Sequence, residues 1–237
     1  MIDEKALAEY LEKSGLSLDG TALDRLEKYA AAVAEKNKVM NLTAITEPHE
    51  FTVKHVIDSL SLLTAVDIRP GSKVMDVGTG GGFPGMVLLI AQPEIRLTLL
   101  DSTRKKLDFI NETAQSLGLS PEILHMRAEE GGKMPEYREK FDLVTARAVS
   151  NLRDLSEYCL PFVRVGGLFA AMKGANAEEE LKDAKAAVKL LGGRISGIKS
   201  LILEDAGERN IIIIEKISHT ATKYPRPSAQ IAKNPIK

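Results

Sequence analysis

Apolar residues recur at helical spacing early in the chain: Leu23, Leu26, Ala30 and Val33 form one series, and Val56, Leu60 and Leu63 another. Residues 1–70 are therefore expected to form an N-terminal helical cap. From Lys73 the pattern changes, and short apolar runs alternate with longer amphipathic ones. Strands are expected from Lys73 to Val77, Ile95 to Asp101, Glu122 to Met126, Phe141 to Thr145 and Leu168 to Met172. Helices are expected from Pro84 to Ala91, Thr103 to Leu117, Leu152 to Leu160 and Ala177 to Leu191, with Gly118 and Gly192 as stops for two of them. The last two runs, Ile195 to Leu203 and Asn210 to Lys216, have no helix between them, which predicts an antiparallel hairpin at one sheet edge. The pattern as a whole predicts an α/β fold with a Rossmann-like, seven-stranded sheet over residues 71–217, followed by a tail at 218–237. A doubly wound dinucleotide fold would instead continue with strand–helix–strand units.

With 237 residues, 44% of them apolar and 27% charged, the chain can bury one sizeable core plus an appendage. A net charge of −1 gives no overall nucleic-acid signal, so any such contact must come from local patches. One patch is the tail, where Lys216, Lys223, Arg226, Lys233 and Lys237 occur without an acidic residue; it can clasp phosphates or simply be solvated. Arg104, Lys105 and Lys106 form a second, with ordinary helix solvation as the alternative. The single cysteine, Cys159, excludes an internal disulfide framework and a Cys-rich zinc site, fits a reducing compartment, and is expected in a helix core. His49, His55, His125 and His219 lack metal-ligand spacing, so no metal site is expected. There is no apolar signal core at the N-terminus and no run near the length of a membrane span, so a cytoplasmic protein without a membrane partner is expected.

The densest chemical signal runs from Val74 to Gly85, where a strand, a glycine turn and a helix start follow one another. Glycines at 78, 80 and 82 permit positive φ and close approach of a ligand, and Pro84 suits a first helical position. A phosphate-cradling loop is excluded, because Met86 stands where Lys-Ser/Thr is needed. Gly80, Gly82 and Gly85 match a dinucleotide fingerprint, although Pro84 removes a donor where a pyrophosphate would sit. Asp76, Gly78, Gly80 and Gly82 match the acidic-x-G-x-G-x-G pattern of S-adenosylmethionine binders, which is the preferred reading. A purely structural glycine turn is the remaining alternative.

Other candidates lie at strand ends, where open α/β sheets bind ligands. Asp101 can accept both ribose hydroxyls, or it and Ser102 can cap the next helix. Arg127-Ala128-Glu129-Glu130 can hold an adenine or be an ordinary charged loop. Arg147, flanked by alanines, can reach cofactor or substrate or make a surface ion pair, and Lys173-Gly174 faces the same rim.

Several further motifs carry a resemblance over nearly the whole chain. They are Asn41-Leu42-Thr43-Ala44-Ile45, His55-Val56-Ile57-Asp58-Ser59-Leu60, Phe83-Pro84-Gly85, Asp101-Ser102-Thr103-Arg104-Lys105-Lys106, Arg127-Ala128-Glu129, Thr145-Ala146-Arg147-Ala148, Met172-Lys173-Gly174 and Lys223-Tyr224-Pro225-Arg226. Together these resemble the RsmG (GidB) family, bacterial class I S-adenosylmethionine-dependent methyltransferases of N7 of one guanine in 16S rRNA. The resemblance implies cofactor contacts at Gly78, Phe83, Asp101, Ser102, Thr103, Ala128, Glu129 and Arg147. The partner it implies is 16S rRNA or an assembling small ribosomal subunit, and Lys173, Lys223, Arg226 and His55 are candidate RNA contacts on a monomeric enzyme, His55 with a structural role as alternative. Guanine N7 has a free lone pair, so no general base is expected; Arg147 is the candidate for a role in the chemical step. The chain also lacks the Asn-Pro-Pro-Tyr motif of exocyclic-amine methylation, and Cys159 is not in the Pro-Cys setting of C5 methylation. A nicotinamide-dependent oxidoreductase, a methyltransferase of another RNA or a small molecule, and a non-catalytic RNA-binding assembly factor remain open on the residues alone.

Overall fold

The computed structural model, which describes residues 1–237, has seven strands: β1 (Lys73–Val77), β2 (Arg96–Asp101), β3 (Glu122–His125), β4 (Phe141–Arg147), β5 (Val163–Lys173), β6 (Gly193–Leu203) and β7 (Gly207–Lys216). They form one sheet in the order β3-β2-β1-β4-β5-β7-β6. All pairs are parallel except those of β7, which runs antiparallel to both β5 and β6. The expected hairpin is therefore present, with β7 inserted between β5 and β6. The chain leaves β1 toward β2 and β3, then returns to β4 on the other side of β1. This makes the carboxyl ends of β1 and β4 the switch point at which such sheets bind ligands.

Two helices open the chain, α1 (Glu4–Ser14) and α2 (Gly20–Asn37), capped by the carboxylates of Asp3 and Asp19, which accept from Ala6 N at 3.0 Å and Ala22 N at 2.7 Å. The buried face of α2 is Ala22, Leu26, Tyr29, Ala30 and Val33, whereas Leu23 is 40% exposed. The expected apolar stripe is thus rotated: Leu23 borders an open groove against α1, and Tyr29 takes the core position. A third helical run covers residues 48–64, with a widened turn at Thr52–Ile57 and a tightened one at Ser61–Thr64. These helices bury Val33, Phe51, Leu60 and Leu62 against Met86, Leu88 and Ile90 on the helix Gly85–Ala91, closing one face of the sheet.

The other face is covered by the helices Leu152–Cys159 and Ala177–Leu190, which bury Leu155, Cys159, Ala184 and Val188 over Val144, Phe169 and Ile212. Cys159 is accordingly a core residue. The tail folds onto this face as well. Tyr224, Ile231 and Ile236 are buried, the short helix Ser228–Lys233 forms, and Arg138 donates to the carbonyls of Thr220 and Tyr224 at 2.6 and 2.8 Å. The expected solvated basic tail is corrected in two places. Lys216 is fully buried, donating to Leu160 O at 2.6 Å beside Glu139, and burial pulls its ammonium down to about 8. Arg226 pairs at 2.6 Å with the buried carboxylate of Glu157. Both side chains are thus engaged in ion pairs within the chain, Lys216 at the end of β7 with Glu139 and Arg226 in the tail with Glu157.

Strand and helix ends otherwise shift by a few residues. The main difference is β5, which starts at Val163 because that residue pairs with Phe141 before an irregularity lets Leu168 pair with Leu143. Pro84 stands just outside its helix, which begins at Gly85, where Asp76 Oδ2 accepts the amide at 2.9 Å. A small latch joins the cap to the β6–β7 turn: His49 Nδ1 lies 2.8 Å from Asp3 and Nε2 3.2 Å from Asp205. The hydrogen bond to Asp3 raises the imidazole pKa, and the Ala6 amide and His49 lower that of Asp3. The histidine contribution is therefore complete below its unfolded pKa of about 6.5 and is lost as pH rises through the raised folded value; the Asp3 contribution is lost at the acidic end. The difference in Tm between wild type and His49→Gln is expected to shrink on titration from about pH 6 to about pH 9; a constant difference would remove the latch.

Candidate functional site

The glycine loop is held from three sides. Gly78 N and Thr79 N donate to Leu100 O on β2 at 2.8 and 3.1 Å. Asp76, fully buried at the end of β1, accepts through Oδ2 from Thr79 Oγ1 at 2.7 Å and Gly85 N at 2.9 Å, and its Oδ1 has no partner. Burial pushes its carboxyl up to about 6, against the pull of these bonds. From the cap, Tyr29 donates its hydroxyl to Gly81 O at 2.8 Å.

The glycines serve different neighbours. Gly82, at φ 87°, would place a Cβ 2.0 Å from Tyr29 Oη, so its missing side chain makes room for the cap. At Gly85 a Cβ would stand 2.5 Å from Leu99 Cδ2 and 2.9 Å from Asp76 Oδ2, so this glycine lets the helix lie close on the sheet. Gly78, at φ 72°, borders a cavity of about 170 Å³ together with Asp101, Ser102, Ala128, Glu129 and Val149. Asp101 spans its edge, accepting from Gly80 N at 2.9 Å and Thr103 N at 2.8 Å. Asp101 thus ties the glycine loop to the residue before the helix Arg104–Ser116 and does not cap that helix, whose first amides receive no side chain, and the same carboxylate remains on the cavity wall.

Val149 also borders a second cavity, of about 670 Å³, reached past the end of β4. Its wall contains Arg147, whose Nη1 donates to Asp58 Oδ2 at 2.8 Å and Lys54 O at 2.9 Å. Arg147 Nη2 lies 3.0 Å from His55 Nδ1, and the guanidinium sits 5.6 Å above the Phe83 ring. Because arginine only donates, His55 Nδ1 accepts, and its Nε2–H donates to Thr43 Oγ1 at 2.7 Å. Burial and the adjacent Arg147 push the imidazole down to about 3, so His55 is neutral at physiological pH. Lys54 and His55 lie on the widened turn, a feature that recurs at functional sites.

With this arrangement in place, comparison with known proteins becomes decisive. The family model described as "rRNA small subunit methyltransferase G" matches residues 22–212. The chain belongs to the rRNA small subunit methyltransferase G family. It is 44% identical over 234 residues to the ribosomal RNA small subunit methyltransferase G of Pelotomaculum thermopropionicum, covering 98% of each chain. It is also 44% identical over 234 residues to the protein of that name from Acetivibrio thermocellus, covering 98% of this chain and 96% of the relative. Among solved structures it resembles TrmN from Thermus thermophilus, with a TM-score of 0.53 and 22% identity over 68% of this chain and 48% of that one. It likewise resembles the YcgJ protein of Bacillus subtilis, with a TM-score of 0.52 and 15% identity over 68% of this chain and 98% of that one. These two share the fold. The chain is a methyltransferase, and the oxidoreductase and non-catalytic readings are not favoured.

Within this family member, Gly78, Asp101, Ser102, Ala128 and Glu129 come together around the smaller cavity, with Thr103 at its edge as the cap of the helix Arg104–Ser116. Arg147 lies on the larger cavity. Phe83 borders neither: it is 6% exposed, edge-on to Tyr29 and Phe51 and stacked on His55 at 4.6 Å. Its ring supports Arg147 and His55 from below. Lys173 borders the larger cavity but is tied to Glu180 at 2.7 Å and to Ser150 O, whereas Lys223 is exposed in the tail. Three participants escaped the sequence reading: Tyr29, Asp58 and Arg209. Asp58 lay inside a motif already singled out, and a carboxylate in a run of buried apolar residues was the available signal. Arg209 gave none, since only the hairpin brings it to the cavity. No group of three or more His, Cys, Asp or Glu side chains assembles in a metal-binding arrangement, and no helix is long and apolar enough to cross a membrane.

Proposed function

We propose that this chain transfers the methyl group of S-adenosylmethionine to N7 of a guanine in 16S rRNA, in the cytoplasm and as a monomer. The observation that carries the reading is the pair of adjoining cavities at the switch point, one bordered by two carboxylates and small residues, the other by cations. The smaller suits an adenosine: Val77, Leu100 and Met126 line it with apolar surface, and Asp101 and Glu129 supply acceptors. Asp101 and Glu129 would hold ribose and adenine, Ser102, Thr103 and Ala128 would frame them, and Arg147 would meet the carboxylate end. When bound, S-adenosylmethionine supplies an electrophilic sulfonium methyl.

Guanine N7 offers its lone pair without losing a proton, so the chain has only to place and orient its ligands. Accordingly the groups nearest the larger cavity are locked in pairs: His55 is neutral with both nitrogens engaged, and Asp58 sits between two guanidiniums. Alignment of two reactants can supply about 7–11 kcal/mol of a barrier. N7 lies on the major-groove edge, which a regular RNA helix hides, so the substrate is an opened or irregular region of an assembling subunit.

The test is transfer of labelled methyl to 16S rRNA or small-subunit particles from cells lacking the modification, followed by N7-specific cleavage. Label at one guanine is the expected outcome; label only at other positions, or none, rejects the proposal. Asp101→Ala is expected to weaken S-adenosylmethionine binding by about tenfold or more, since it removes charged acceptors from both the ligand and Gly80 N. Wild-type affinity by calorimetry would take Asp101 out of the site.

A further inference from the structure

Four cations border the larger cavity, Lys54, Arg147, Lys173 and Arg209, against the carboxylates of Asp58 and Glu180. Both carboxylates are already engaged. Glu180 pairs with Lys173 at 2.7 Å and accepts from Leu152 N at 2.6 Å. Asp58, with a side chain only 5% exposed, lies between Arg147 at 2.8 Å and Arg209 at 3.4 Å. Lys54 is paired with Glu50, so the one positive charge without a carboxylate of its own is the one that Arg147 and Arg209 share at Asp58.

Within that wall Arg209 differs from its neighbours. Its Nε side faces Asp58, and Nη1 donates to the carbonyls of Ala206 and Glu208 at 2.7 and 3.0 Å, which fixes the guanidinium from both ends. Its Nη2 makes no hydrogen bond within the chain, so two donors on a rigidly held cation remain available at the cavity. Sharing one nitrogen, these two N–H groups diverge and do not make the parallel pair of a bidentate contact; one of them suits a single charge-assisted hydrogen bond to an oxyanion such as phosphate, and the preorganised guanidinium reduces the entropy lost on binding. A cofactor carboxylate is the poorer match, because Arg209 borders only the larger cavity, whereas Val149 borders both.

We propose that Arg209 binds a backbone phosphate of the RNA beside the target guanosine, and so registers the strand in the larger cavity. This rests on the reading of the chain as an RNA methyltransferase. The carboxylate of Asp58 holds Arg209 and Arg147 a fixed distance apart, so the phosphate and the cofactor end of the site keep one geometry.

The test uses full-length Arg209→Ala and Arg209→Gln; the glutamine can still reach a turn carbonyl and keeps the test open should the alanine variant not fold. Tm, S-adenosylmethionine affinity by calorimetry, KM for small-subunit particles and the salt dependence of RNA binding are measured for each. Unchanged cofactor affinity is expected with KM raised about ten- to hundredfold, as for loss of a charge-assisted hydrogen bond. The slope of log affinity against log salt should become shallower by about one. Wild-type KM and slope in a folded variant overturn the inference, as does lost cofactor affinity with intact RNA affinity. If the wild-type protein binds S-adenosylmethionine but methylates no RNA, the functional reading itself fails and takes this inference with it.

Discussion

Gly82→Ala is expected to lose about 2–5 kcal/mol of stability and to abolish cofactor binding. Two costs add. A φ of 87° is strained for any residue with a Cβ, at about 1–2 kcal/mol, and the new methyl would stand 2.0 Å from Tyr29 Oη and 3.0 Å from Met86 Cγ, an overpacking cost of about 1–3 kcal/mol. Neither neighbour yields easily, since Tyr29 is buried and bonded to Gly81 O and Met86 is fully buried. Against a total of about 5–15 kcal/mol this is a large fraction. Tyr29→Phe separates the causes: it removes the nearest atom but leaves Tyr29 Cζ, at 3.1 Å, and the strained φ. Gly82→Ala should therefore be partly rescued in the Tyr29→Phe background, with a coupling readable from denaturant unfolding of the four proteins. Additive effects would mean that Tyr29 moves aside and does not clamp the loop.

Arg147→Ala is expected to cut methyl transfer by about a hundredfold or more and to cost about 3–5 kcal/mol of stability. Sequence alone suggests a rim residue whose loss costs transfer more than stability. Its setting argues otherwise, because removal leaves Asp58 with Arg209 alone, at 3.4 Å, and leaves Lys54 O and His55 Nδ1 without their donor. Arg147→Lys keeps the charge but cannot make these three bonds at once, so it should recover little of either loss. A second readout is the imidazole of His55. Its low pKa means that the folded chain binds fewer protons than the unfolded one, so stability falls as pH drops below about 6.5 toward 3. Without Arg147 one of the two causes is gone, and the pKa followed by NMR should rise; an unmoved value would assign the shift to burial alone.

The sheet was legible because its strands are short apolar runs bounded by glycine and charge, and the ends of β1 and β2 carry the carboxylates Asp76 and Asp101. The nucleoside side of the site was legible for the same reason: strand tips are local in sequence. What escaped depends on contacts between distant segments. Tyr29 belongs to a helical apolar series, and nothing in that series says its hydroxyl will meet a carbonyl 52 positions later. The tail illustrates the opposite error. Five cations without acids suggest solvation or phosphate contact, yet Lys216 and Arg226 find Glu139 and Glu157 in earlier segments. Phe83 lies beside the glycine loop in sequence, but it packs under Arg147 because the cap presents Phe51 and His55 to it.

The Tyr29 hydroxyl and the Lys54, His55 and Asp58 groups all come from the helices that precede the first strand, and all act on residues of the sheet's ligand rim. A chimera carrying these helices on the sheet of another methyltransferase would lack a matching Gly81 carbonyl and Arg147, and the reciprocal graft would leave Arg147 without its anchors. Exchange of the cap between relatives thus requires moving residues 1–64, the loop after β1 and the end of β4 together, as one unit of inheritance.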